Sequence, residues 1–130
     1  MITCAMCDDE LPFAEQLRSL VMAYAKKKRV ELQAETFASA EELLEEIENG
    51  AGFEILFLDI EMRKMDGIEL GKKLRERSYQ TLIIYVSGYD QYMRQLFEAE
   101  PFRFLSKPLK QEELENVLDK AFERISRFHR

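Results

Sequence analysis

Apolar and polar positions along this chain alternate between two periods. Ile2 to Cys7 is an apolar run that predicts a first strand, and Leu11 to Lys28 then places Phe13, Leu17, Leu20, Val21 and Tyr24 on one helical stripe. Val30 to Phe37 returns to period two, with Val30, Leu32 and Ala34 on one side, which predicts a second strand. Ser39-Ala-Glu-Glu42 has capping-box spacing and opens a short helix carrying Leu43, Leu44 and Ile47, stopped by Asn49-Gly50. Phe53 to Leu58 is a third strand, apolar enough to be buried on both faces, and it runs straight into Asp59. Asp66-Gly-Ile-Glu69 opens a third helix to about Arg77, with Ile68 and Leu74 facing inward. Leu82 to Ser87 predicts a fourth buried strand. Asp90 to Glu98 predicts a short, weakly amphipathic helix with Tyr92, Met93, Leu96 and Phe97. Phe102 to Leu105 predicts a fifth strand, and Leu109 to Phe128 a last helix with Leu114, Val117, Leu118, Ala121, Phe122 and Ile125 at helical spacing.

Five strands alternating with five helices call for a parallel sheet whose crossovers cover both faces. The natural order at this size is the doubly wound 2-1-3-4-5, a flavodoxin-like (βα)5 α/β fold. In that order the first and third strands are neighbours, so Asp8, Asp9 and Asp59 converge where the strand order reverses. Open α/β sheets put their chemistry at that crevice.

Composition narrows the reading. A chain of 130 residues, 46% hydrophobic and 34% charged, fits one globular domain spanning residues 1–130. A net charge of −6 argues against clamping nucleic acid directly. The basic run Lys26-Lys27-Lys28-Arg29 falls at a predicted helix end, where it complements the helix dipole. No apolar stretch approaches the ~20 residues that span a bilayer and no signal-peptide pattern opens the chain, so a cytoplasmic location without membrane contact is expected. Cys4 and Cys7 form a C-x-x-C inside an apolar run with no further zinc ligands nearby, which predicts buried strand residues rather than a thiolate site.

Four features fall at predicted strand ends: Asp8-Asp9, Asp59, Ser87 and Lys107. Gathered carboxylates call for a divalent cation, and Mg2+ prefers a few carboxylate oxygens together with waters and phosphate oxygens. A carboxylate nucleophile can take a phosphoryl group to give an acyl phosphate, while a hydroxyl and an ammonium hold its remaining oxygens.

With those pieces the chain resembles the receiver domain of two-component response regulators. The matching residues are Asp8-Asp9-Glu10, Phe57-Leu-Asp59-Ile-Glu-Met, Met65-Asp66-Gly67, Val86-Ser87-Gly88 and Phe104-Leu-Ser-Lys107-Pro108. The resemblance implies Asp59 as phosphoacceptor and a Mg2+ ion held by Asp59, Asp9, Asp8 (largely through water) and the main-chain carbonyl of Glu61. It further implies Ser87 as switch hydroxyl, Phe104 as switch aromatic, Lys107 as partner of the phosphoryl group, and a cis Lys107–Pro108 bond. A sensor histidine kinase is the implied donor, with self-catalysed transfer and autodephosphorylation rather than enzymatic turnover. Phe104 also suits plain core packing, and Tyr85, Tyr89 and Tyr92 compete for any aromatic role.

Two departures stand out. Met62-Arg63-Lys64 follows where many receivers have Met-Pro, and Glu61 adds a fourth carboxylate at the rim. Ser87-Gly-Tyr-Asp-Gln-Tyr92 and Pro101-Phe-Arg-Phe-Leu-Ser-Lys-Pro-Leu109 are similar to receivers of LytTR-type (LytR/AlgR) DNA-binding regulators. That similarity implies homodimerisation on phosphorylation through the face made by segment 90–98, the fifth strand and the last helix. It implies contact with DNA only through an output domain outside this chain. Two other readings remain open from the residues alone: a receiver-like interaction module that works without phosphorylation, and a Mg2+-dependent phosphohydrolase.

Overall fold

The computed structural model of the protein describes residues 1–77, 79–88 and 99–128. The predicted helix from Asp90 to Glu98, together with Tyr89 and the terminal His129, lies outside the described residues. Within them the elements are β1 (Ile2–Cys7), α1 (Leu11–Lys27), β2 (Leu32–Phe37), α2 (Ala40–Glu48), β3 (Ile55–Asp59), α3 (Gly67–Glu76), β4 (Leu82–Ser87), β5 (Arg103–Ser106) and α4 (Gln111–Phe128). The five strands form one parallel sheet in the order β2-β1-β3-β4-β5, as the alternation of elements predicts.

Strand alternation splits the interior into two layers. Cys4, Met6, Ile55, Phe57, Ile84 and Val86 face one side, where Leu17 and Val21 of α1 and Leu114, Leu118 and Ala121 of α4 cover them. Ala5, Cys7, Leu56, Leu58, Ile83 and Tyr85 face the other, under Leu43 and Ile47 of α2 and Ile68, Leu70 and Leu74 of α3. Cys4 and Cys7 are free, buried and on opposite faces, so they cannot pair. Burial pushes both thiols far above their ordinary pKa, consistent with packing rather than reactivity.

The helix starts follow their caps. Ser39 Oγ accepts from the Glu42 N–H at 3.1 Å, while the Glu42 carboxylate reaches back to the Ala38 N–H at 3.3 Å. Asp66 Oδ1 accepts from the Glu69 N–H at 2.8 Å and so starts α3. Gly50, at φ 101°, turns the chain out of α2.

Strand boundaries move slightly from the sequence reading. β2 begins at Leu32 rather than Val30, because Arg29 turns at φ 59° and the Val30 N–H bonds back to the Ala25 carbonyl at 2.8 Å. β5 runs from Arg103 to Ser106, one residue later at each end than the sequence reading, with the Phe102 N–H donating to the Ile83 carbonyl at 2.7 Å as the chain enters the sheet. Among the described residues, no helix is long and apolar enough to cross a membrane.

Candidate functional site

Parallel register brings the polar strand ends together. Cys7 pairs with Leu58, and Asp59 pairs with Val86, so Asp8 and Ser87 flank Asp59 on the two neighbouring strands. Ser87 pairs with Ser106, which sets Lys107 one residue beyond the end of β5. The Lys107 N–H donates to the Ser87 carbonyl at 3.1 Å, and the Lys107–Pro108 bond is cis.

Carboxylate oxygens of Asp8, Asp9 and Asp59 all lie within 4.8 Å of one another. Asp8 and Asp59 are buried and Asp9 is exposed. An Asp8 oxygen also accepts the Glu10 N–H at 2.8 Å, a local turn that holds the first carboxylate in place. Lys107 Nζ reaches into the cluster, 3.0 Å from Asp8 Oδ2 and 3.7 Å from Asp59 Oδ2, and sits 4.3 Å from the centre of the Phe13 ring. The aromatic ring and the two carboxylates together hold the ammonium in place.

The electrostatics follow from this crowding. Burial first, then the charge of Asp8, lifts the Asp59 pKa to about 7; Lys107 opposes the rise, Asp9 adds to it, and a backbone hydrogen bond at Ile60 lowers it. At Lys107 burial works against the ammonium. The bond from Asp8 and the charges of Asp59, Asp8 and Glu10 together outweigh it and hold the pKa above its ordinary value. Two buried carboxylates with one shared ammonium leave uncompensated negative charge. Three oxygen donors this close suit a small hard cation such as Mg2+ by donor chemistry alone.

Beside the cluster lies an open depression of about 390 Å³, lined by Asp9, Ile60, Glu61, Met62, Arg63 and Asp66. Glu61 stands exposed at this rim. Next along the chain, the Gly67 N–H donates to the Ile60 carbonyl at 3.0 Å. A Cβ on Gly67 would lie 2.1 Å from the Asp59 carbonyl oxygen, so only glycine fits there. Phe104 is half-buried against the α2–α3 layer, one residue along the strand from buried Leu105. Of the competing aromatics, Tyr85 is fully buried and points toward α3, while Tyr89 and Tyr92 lie outside the described residues. A larger groove of about 740 Å³, lined by Arg75, Thr81, Phe102 and Arg124 among others, opens at the opposite end of the sheet from the carboxylates.

The structure thus brings Asp8, Asp9, Asp59 and Lys107 into one group, with Ser87 buried beside it. Sequence reasoning missed the direct Asp8–Lys107 pair, because it comes from residues 99 positions apart. It also missed the fit of Gly67 against Asp59, although the Asp66-Gly67 helix start was visible.

Comparison with known proteins agrees with this geometry. The family model for the response regulator receiver domain matches residues 5–119. An uncharacterized response regulatory protein of Vibrio cholerae is 28% identical over 125 residues, which cover 96% of this chain and 46% of that protein. The sensory transduction protein LytT of Bacillus subtilis is 24% identical over 127 residues, covering 98% of this chain and 50% of that protein. The chain therefore spans about half the length of these relatives. Among solved structures, the response regulatory domain of protein mrkE from Klebsiella pneumoniae superposes with a TM-score of 0.86 at 18% identity, covering 97% of this chain and 99% of that one. That last likeness bears on the fold.

Proposed function

The chain belongs to the response regulator receiver domain family, and from that premise we propose that residues 1–130 form one receiver domain whose phosphoacceptor is Asp59. The observation that carries this reading is the meeting of Asp8, Asp9 and Asp59 within 4.8 Å, with Lys107 reaching two of them at the strand ends. An oxygen of the ionised Asp59 carboxylate attacks the phosphorus of a donor, either the phosphohistidine of a sensor histidine kinase or a small acyl phosphate. A new O–P bond forms, the donor's N–P or O–P bond breaks, and its electron pair leaves with the donor. The product is an acyl phosphate on Asp59.

Asp8, Asp9 and Asp59, with the main-chain carbonyl of Glu61, are the groups that would hold Mg2+. The ion, when bound, supplies the positive charge that lets three carboxylates and a phosphoryl group share one site. Lys107, held by Asp8 at 3.0 Å, is placed to turn its ammonium toward a phosphoryl oxygen. The hydroxyl of Ser87 is the switch donor and Phe104 the aromatic that follows it, so phosphorylation shifts the balance between two packings. Hydrolysis of the acyl phosphate by water resets the domain, without turnover of a free substrate.

The output of this switch is homodimerisation through β5 and α4; segment 90–98, expected to share in it, lies outside the described residues. In a LytTR-type transcriptional regulator that pairing is passed to a DNA-binding domain outside residues 1–130, and the cytoplasm is the compartment where kinase and DNA are both met. The similarity to LytT supports that part of the reading.

The test is intact mass after incubation with Mg2+ and acetyl phosphate, with Asp59→Asn run in parallel. The parent should gain one phosphoryl group and the variant none. Labelling of the variant, or no response of the parent to acetyl phosphate, a kinase or beryllofluoride, would overturn the assignment.

A further inference from the structure

We infer that Tyr85 is a positioning residue: its buried hydroxyl holds Gly67, and through Gly67 the loop 60–66 that borders the end of β3. Tyr85 is fully buried in the middle of β4, yet its ring carries a polar group into the layer beneath α3. That hydroxyl donates to the Gly67 carbonyl at 3.3 Å. Gly67 is thereby fastened on both sides, since its own N–H donates to the Ile60 carbonyl at 3.0 Å. Its Cα rests against the Asp59 peptide so closely that an added Cβ would lie 2.1 Å from the carbonyl oxygen. The loop between these two fixed points carries Glu61, Arg63 and Asp66 around the rim of the site. A loop with Lys64 at φ 61° and no proline has little local stiffness of its own, so its shape depends on what holds its ends.

The same hydroxyl faces α3 a turn further on. A Cβ on Gly71 would lie 2.1 Å from Tyr85 Oη and 2.9 Å from the Ala99 Cβ, so α3, β4 and residue 99 meet at one tight point. Arg75 of α3 then fastens the stretch leading into β5, donating to the Ala99 carbonyl at 2.9 Å and the Glu100 carbonyl at 2.8 Å. A packing role alone would be met by phenylalanine; the hydroxyl is what reaches Gly67.

The test is Tyr85→Phe, read by hydrogen exchange of the Gly67 N–H against the Leu58 N–H of β3, and by Mg2+ affinity from titration of the metal-free protein. Loss of one buried hydrogen bond predicts about fivefold faster exchange at Gly67 relative to Leu58 and about fivefold weaker Mg2+ binding. Gly71→Ala, which crowds both the hydroxyl and Ala99, should reproduce the gain at Gly67 over Leu58 in the parent and leave that Gly67-to-Leu58 ratio unchanged in the Tyr85→Phe background, where only the Ala99 contact remains. Unchanged exchange at Gly67, an equal gain at Gly67 and Leu58, or unaltered Mg2+ affinity would each show that Tyr85 only packs. The inference uses the assignment of the site only for its metal readout. Failure of the parent to be phosphorylated would sink the acceptor reading and leave the exchange comparison intact.

Discussion

Replacing Asp59 by asparagine should make the metal-free protein more stable, and by an amount that depends on pH. Asp59 has a folded pKa of about 7 against 3.8 for the unconstrained side chain, with burial and the Asp8 charge as the leading causes. Because the folded value is the higher one, the native state binds the extra proton. Its stabilising share is complete below the unfolded value and is lost as pH rises through about 7. Between pH 5.5 and the folded pKa lie about 1.5 pH units at ~1.4 kcal/mol each, a ceiling of about 2 kcal/mol. The carboxyl itself is buried, but its acidic neighbour Asp9 within 4.8 Å is exposed and open to water and salt, so about 1 kcal/mol is the expected reading. Asparagine carries no such penalty. Urea unfolding in EDTA should therefore show the variant gaining on the parent by about 1 kcal/mol from pH 5.5 to 8.5, or roughly 0.7 M in midpoint for an m-value near 1.5 kcal/mol/M. Adding Mg2+ should shrink the difference by stabilising the ionised parent. A variant that follows the parent at every pH would refute the claim that Asp59 sits in an uncompensated acidic cluster.

Three further outcomes follow from the same geometry. Lys107→Ala leaves buried Asp8 without its 3.0 Å partner and should cost about 2 kcal/mol in metal-free chemical unfolding, less than for a fully buried pair because the ammonium is partly exposed; Mg2+ should restore much of the loss. Gly67→Ala sets a Cβ against the Asp59 carbonyl oxygen at 2.1 Å and should destabilise by about 3 kcal/mol in thermal unfolding, since backbone lies on both sides of the clash. Mg2+ should raise the melting temperature of the parent in proportion to the logarithm of its concentration above Kd. Asp9→Asn, which removes one of the three clustered carboxylates, should abolish most of that rise while leaving the metal-free melting temperature near that of the parent.

Much of the architecture was legible in the chain because it depends on local rules. Period-two and helical spacing marked the elements, and Ser39 and Asp66 marked two helix starts through caps that the structure contains. Alternation of strands with helices then left few topologies, and the 2-1-3-4-5 order placed Asp8 beside Asp59 before any distance was known. Strand ends were less legible. The entry to β2 depends on Arg29 adopting a left-handed turn, and that conformation is stabilised by the Val30–Ala25 bond rather than by residue type.

Residue type and element order were enough to establish the inventory and the end of the sheet where it gathers: carboxylates after the first and third strands, a serine after the fourth, a lysine after the fifth. How these groups divide their partners emerges only in the packed fold. Lys107 bonds to Asp8 more closely than to Asp59, and Phe13 supports it from a different helix. Tyr85, one more apolar-looking residue of a buried strand in the sequence, carries its hydroxyl to Gly67. Hydrophobic periodicity is written in neighbours a few residues apart, whereas the charge and hydrogen-bond balance of a site is set by residues that meet only after the sheet has closed.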